Sequence, residues 1–81
     1  MTRRAKLEAA IRNNPRNVRF ADLCRLLEHA GFRLERTRGS HHVFRRAGLP
    51  LVNLQATSDG RAKAYQVEQV LSMLDEMEAG K

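Results

Sequence analysis

Two runs of strand-forming residues, 32–37 and 41–45, stand on either side of Arg38-Gly39-Ser40, and together they restrict the fold more tightly than any other stretch. Glycine takes positive φ without steric cost and serine commonly accompanies it in hairpin loops, so the chain is expected to double back here. Aromatic and β-branched residues with partial alternation mark both runs as strands. Loop length then sets the register, and with it the face taken by each side chain. A three-residue loop of Arg38, Gly39 and Ser40 sets Leu34 opposite Phe44 and Phe32 opposite Arg46, whereas a two-residue loop sets Leu34 opposite Arg45. The first is preferred because it gathers Phe32, Leu34 and Phe44 on one buried face. In that register His42 points inward at the margin of the core. His41 points outward with Val43, Arg45, Glu35 and Arg33.

The rest of the chain supplies helices and one more strand. Leu7, Ala10 and Ile11 fall at helical spacing over residues 3–13, Thr2 is placed to cap that helix, and Asn13-Asn14-Pro15 ends it. A second helix, from residue 19 or 20 to 30, carries Phe20, Leu23, Leu27 and Ala30 on one stripe, with Cys24 and Leu26 beside it. Gly31 is its expected left-handed C-cap, while its start is poorly marked because neither Val18 nor Arg19 is a favoured N-cap. After the hairpin, Ala47-Gly48-Leu49-Pro50 turns the chain into a third strand, 51–56, with Val52, Leu54 and Ala56 toward the core and Asn53 and Gln55 solvated. A loop follows, sharpest at Asp59-Gly60. The last helix, from residue 64 or 65 to 78, sets Val67, Val70, Leu71, Leu74 and Met77 on one face, with Met73 at its edge and Gly80 as terminator. Tyr65 is expected to pack its ring at the start of that helix. The order α-α-β-β-β-α describes an α+β chain whose three-stranded antiparallel meander is covered on one face by helices two and three, leaving the other face to solvent and ligand.

Eighty-one residues suffice for one domain with a single small core. No apolar run approaches the roughly 18 residues of a membrane helix, and no signal peptide is seen, so a soluble cytoplasmic protein is expected. Cys24, the single cysteine, has no partner for an internal disulfide and is read as a small buried apolar residue. No Cys/His spacing suggests a metal site. His29 is accounted for by the helix dipole.

A net charge of +6 favours a polyanionic partner, and its distribution sharpens the point. Between residues 32 and 63, Arg33, Arg36, Arg38, Arg45, Arg46, Arg61 and Lys63 face only Glu35 and Asp59. The last helix instead carries Glu68, Asp75, Glu76 and Glu78, a second surface suited to a protein. A helix-backed sheet ringed by cations can bind RNA, with Arg61 and Lys63 at the start of the last helix as a second phosphate anchor. No pair of carboxylates is brought together by the pattern, and Ser40 and His41, adjacent on a strand, point to opposite faces. What remains is a histidine amid guanidinium groups. RNA carries its own nucleophile, the 2′-hydroxyl, and a neutral imidazole can take its proton while arginines stabilise charge on the attacked phosphate. Such chemistry needs neither metal nor small-molecule cofactor.

The segments Leu26-Leu27-Glu28-His29-Ala30-Gly31-Phe32, Arg38-Gly39-Ser40-His41-His42-Val43-Phe44 and Lys63-Ala64-Tyr65-Gln66-Val67 together resemble the HicA-type toxins of bacterial toxin–antitoxin systems. The similarity runs from about residue 20 to 74. It implies a double-stranded-RNA-binding-like α-β-β-β-α fold, metal-independent mRNA endoribonuclease activity and neutralisation by a HicB-type antitoxin. The family's catalytic histidine follows Gly-Ser and so falls on His41, which agrees with the outward position given by the register. Candidate RNA contacts are Arg36, Arg38, Ser40, His42, Arg45 and Arg46, with Arg61 and Lys63 as the second anchor. The expected layout is one HicA-like domain over 1–81, with a family core at 19–78 and an additional N-terminal helix at 1–14. After the third strand this chain has Asn53-Leu54-Gln55-Ala56-Thr57 where many relatives carry a proline- or histidine-containing stretch. Two other readings compete: a non-catalytic RNA-binding module of the same fold, distinguished only by His41, and a subunit that binds a protein through its first or last helix.

Overall fold

The structure, a computed structural model, describes residues 2–80. Its first helix, α1 (Arg3–Asn13), opens where Thr2 stays extended and its hydroxyl accepts the Ala5 N–H at 3.0 Å. That bond satisfies one of the donors a helix start leaves unpaired. Ile11 of α1 is 3% exposed and joins the core, with Leu7 packed against it. The second helix, α2 (Phe20–His29), has no side-chain cap on Arg19. Its start is held from far along the chain instead. Phe20 N–H donates to the Gly60 carbonyl at 3.0 Å, and Ala62 N–H donates to the Val18 carbonyl at 2.8 Å. Its end is local, because Gly31 takes φ +93° and Phe32 N–H returns to the Leu27 carbonyl at 3.0 Å.

Three antiparallel strands follow in the spatial order β1 (Arg33–Arg38), β2 (His41–Arg45), β3 (Val52–Gln55), and α3 (Ala64–Ala79) closes the chain. From α2 onward this is the α-β-β-β-α order of a double-stranded-RNA-binding-like fold. Leu23, Leu26 and Leu27 of α2, Phe44 of β2, Leu54 of β3 and Val67, Val70 and Leu74 of α3 form the centre of the core, with Phe32 and Ala62. Each large side chain taken fully out of water contributes about 1.5–3 kcal/mol, and this burial holds the helices against one face of the sheet.

The hairpin differs from the expected one in a way that leaves part of its register intact. Pairing beside the turn runs Arg38↔His41, Thr37↔His42 and Arg36↔Val43, so the loop is the two residues Gly39 and Ser40. A shift between Leu34 and Arg36 then restores Leu34↔Phe44 and Arg33↔Arg45. Glu35 is the extra residue, and the bulge accommodates what a longer loop was expected to supply. Leu34 stays 49% exposed all the same. It lies on an edge strand all of whose residues are exposed, while the helices pack over β2 and β3. Tyr65, whose ring was expected to pack at the start of α3, is likewise 56% exposed as a residue. Val43, expected to face outward, is only 8% exposed although it stands outside the core cluster. Its cross-strand partners are Arg36 and Asn53.

The two sheet edges are protected by different means. On β1 the bulge and the arginines interrupt a smooth pairing edge. On β3 a side chain does the pairing. Gln66 of α3, 7% exposed, accepts the Gln55 N–H at 3.0 Å and donates to the Asn53 carbonyl at 3.4 Å, covering the edge as another strand would.

Candidate nucleic-acid interface

Directly paired residues in an antiparallel sheet share a face, so the register sorts the hairpin into rows. His42 and Phe44 of β2 and Leu54 of β3 belong to the helix side, where Phe44 and Leu54 are buried. The open face therefore carries Arg38, His41 and Gln55 in one row across the three strands, with Arg36, Val43 and Asn53 in the next. Strands lie about 4.8 Å apart, so His41 has Arg38 on one side and Gln55 on the other at roughly that spacing. His41 is exposed at the end of the hairpin. Gly39, with φ +57°, makes the reversal that places it there.

Beneath that row the turn is tied down. His42 presents its ring edge-on to Phe20, with centroids 4.8 Å apart, and its Nδ1 lies 3.3 Å from the Ser40 carbonyl. Because a carbonyl only accepts, this contact requires the His42 proton on Nδ1. Ser40 Oγ meets Gln55 Nε2 at 3.2 Å, and the other end of the same amide, Oε1, accepts Lys63 Nζ at 3.0 Å. Ser40, Gln55 and Lys63 thus form a continuous chain from the hairpin turn to the start of α3. Gln55 and Gln66 were not among the expected site residues. The alternation of β3 places Gln55 on the polar face, but only the pairing of β3 with β2 shows that it stands opposite His41.

The expected cations fall into distinct groups. Arg36 and Arg38 have no carboxylate partner among the described residues. Arg45 Nε is paired with Glu35 at 2.8 Å and Arg61 Nε with Asp59 at 3.4 Å. Arg46 remains exposed overall, but its Nη1 donates to the Ala30 carbonyl at 2.7 Å in a part-buried bond that closes the end of α2. Lys63 stands at the N-cap position of α3, its ammonium held by the neutral Gln55 amide.

The loop that delivers Arg61 and Lys63 is internally bonded. Thr57 hydroxyl donates to Asp59, and Arg61 N–H reaches Thr57 Oγ1 at 3.2 Å and Asp59 Oδ1 at 3.3 Å. The Thr57 hydroxyl holds the Asp59 carboxyl below its ordinary range, helped by the backbone N–H and charge of Arg61. Cys24 is half-buried against the core, and burial, with a smaller contribution from the Glu28 charge, pushes its thiol up to about 11. Among the described residues no three His, Cys, Asp or Glu side chains are grouped so as to hold a metal ion. No described helix is long and apolar enough to cross a membrane.

No curated protein and no solved structure matches the chain. The family described as HicA toxin of bacterial toxin-antitoxin does match, over residues 20–72. That span begins with the first residue of α2 and takes in the whole Arg38–His41–Gln55 row and Lys63, while α1 lies outside it. With roughly two thirds of its length matched, this chain belongs to the HicA family of bacterial toxins, the toxin halves of toxin–antitoxin pairs.

Proposed function

We propose that this toxin is an endoribonuclease that cuts mRNA in the cytoplasm without metal or cofactor, and that a HicB-type antitoxin holds it inactive. The observation that supports the reading most is the placing of exposed His41 on the open face, between Arg38, unpaired among the described residues, and Gln55, whose amide holds Lys63. Single-stranded RNA laid over this face brings a phosphate to His41. A neutral imidazole takes the proton of the 2′-hydroxyl, the 2′-oxygen bonds to phosphorus, and the bond to the 5′-oxygen breaks as that oxygen takes a proton from water. Arg38 and Lys63 stabilise the charge that gathers on the phosphate, and Arg36 meets a neighbouring one. Arg45 and Arg61 add charge at the margins, tempered by Glu35 and Asp59. Ser40, His42 and Arg46 hold the shape of the turn and the floor beside the RNA. The antitoxin, by this reading, offers an acidic surface to the same face, so that it excludes substrate and neutralises charge together.

The test is purified wild type and His41→Ala against a single-stranded RNA in chelator, beside induced expression of both at matched soluble levels with growth and bulk mRNA followed. Growth arrest, mRNA loss and a 2′,3′-cyclic phosphate product from wild type alone are expected. Undiminished cleavage by His41→Ala sinks the histidine mechanism. Cleavage that stops in chelator and returns with a divalent cation sinks metal independence. RNA binding by both proteins with no product at any enzyme level makes the chain a non-catalytic RNA-binding module.

A further inference from the structure

Lys63 is held differently from Arg45 and Arg61. Arg45 and Arg61 are each fixed by a carboxylate, which orients the guanidinium but cancels much of its charge. Lys63 Nζ is fixed at 3.0 Å by the amide oxygen of Gln55, a neutral group. An ammonium only donates, and the remaining end of an amide only donates, so Gln55 can hold Lys63 with one end and bond Ser40 Oγ at 3.2 Å with the other. Its backbone is fixed as well, through the N–H accepted by buried Gln66 at 3.0 Å. Gln55 is also the cross-strand partner of His41. One residue therefore touches the turn that carries His41, the cation at the start of α3 and the edge cover of the sheet.

We propose that Gln55 is a positioning residue that holds Lys63, with its charge intact, beside His41 for contact with the RNA phosphate attacked there, an inference that rests on the endoribonuclease reading. A lysine stem has rotamer entropy to lose when its head is fixed. Restraining it beforehand lowers the cost of that contact, and because Arg38 and Gln55 are the two cross-strand neighbours of His41, the clasp ties the ammonium to the neighbour that is not Arg38. Gln55 acts on the RNA through Lys63 and has no contact of its own with it.

Non-additivity tests this. Gln55→Ala, Lys63→Ala and the double variant are compared with wild type for cleavage of a single-stranded RNA and for binding of the same sequence as 2′-O-methyl RNA, which keeps every phosphate but lacks the nucleophile. Each single change is expected to lower kcat/KM about tenfold, with the double variant no worse than Lys63→Ala. In binding, Lys63→Ala is expected to reduce the slope of log K against log salt by about 0.7, and Gln55→Ala to change nothing further in that background. Effects that multiply in the double variant, or a Gln55→Ala protein with wild-type kcat/KM, overturn the proposal. Should wild type cleave no RNA, the endoribonuclease reading fails, and the binding arm alone decides whether Gln55 works through Lys63. Gln55→Asn, which keeps the amide but falls one methylene short of Lys63, is expected to match Gln55→Ala and serves if the alanine variant folds poorly.

Discussion

Arg46 Nη1 donates to the carbonyl of Ala30 at 2.7 Å, so a cation of the hairpin's far end closes the last turn of α2. The guanidinium also lies 3.4 Å from where a Cβ on Gly31 would stand, and Gly31 has φ +93°. Helix end, left-handed glycine and arginine form one unit. Arg46→Ala removes a partly buried, charge-assisted bond and is expected to cost about 1–3 kcal/mol in chemical denaturation. A loss below about 0.5 kcal/mol, as for an ordinary surface change, argues that Arg46 is available for RNA.

Glu35, the unpaired residue of the bulge, has Arg45 of β2 as its ion-pair partner at 2.8 Å. Glu35→Gln releases that charge. Fluorescence anisotropy with a single-stranded RNA is expected to show binding tightened a few-fold at low salt, with the gain shrinking as salt screens it. Arg38→Ala should do the reverse, weakening binding and flattening the salt slope by about 0.7. Equal affinities for wild type and Glu35→Gln at every salt concentration count against the open face as the RNA track.

The helix outside the family match is attached in two ways, which urea unfolding separates. Ile11, 3% exposed, lies in the core cluster, whereas Arg12 reaches Asp75 of α3 at 2.7 Å through a side chain 37% exposed. Ile11→Ala is expected to cost about 2–4 kcal/mol and Arg12→Ala less than about 1. The reverse ranking would mean that the ion pair, and not apolar packing, anchors α1.

Cys24 gives a pH signature. Burial raises its thiol to about 11 in the folded chain, above the roughly 8.5 of an exposed cysteine. The fold thus favours the protonated thiol. Its contribution is fully present below about pH 8.5 and is lost as pH rises through about 11, because the unfolded chain releases this proton first. At pH 8.5 iodoacetamide should modify Cys24 far more slowly in native protein than in urea. Equal rates would show that the thiol is not shielded.

The helices, the three strands, the Gly39-Ser40 reversal and Gly31 as a cap were legible in the sequence because each follows from local chemistry: apolar spacing, capping and the freedom of glycine at positive φ. His41 was legible as the exposed histidine for the same reason, since alternation along one strand separates it from His42. The loop length was not, because a bulge at Glu35 compensates for a shorter turn, and only the completed pairing with β2 reveals where the extra residue sits. Leu34 shows the related limit. Its apolar side chain and its register with Phe44 both suggested burial, but whether an edge strand is covered depends on where the helices come to rest. The polar contacts were hidden for the same physical reason. Arg46 with Ala30, Gln55 with Ser40 and Lys63, and Gln66 with the β3 backbone all join groups from different elements. A strand or helix repeats with its own period, so sequence alone determined these elements and the outward face of His41. A hydrogen bond between elements has no period to read, and only the packed tertiary structure decided which cations stay free for an anion and which are committed to the protein.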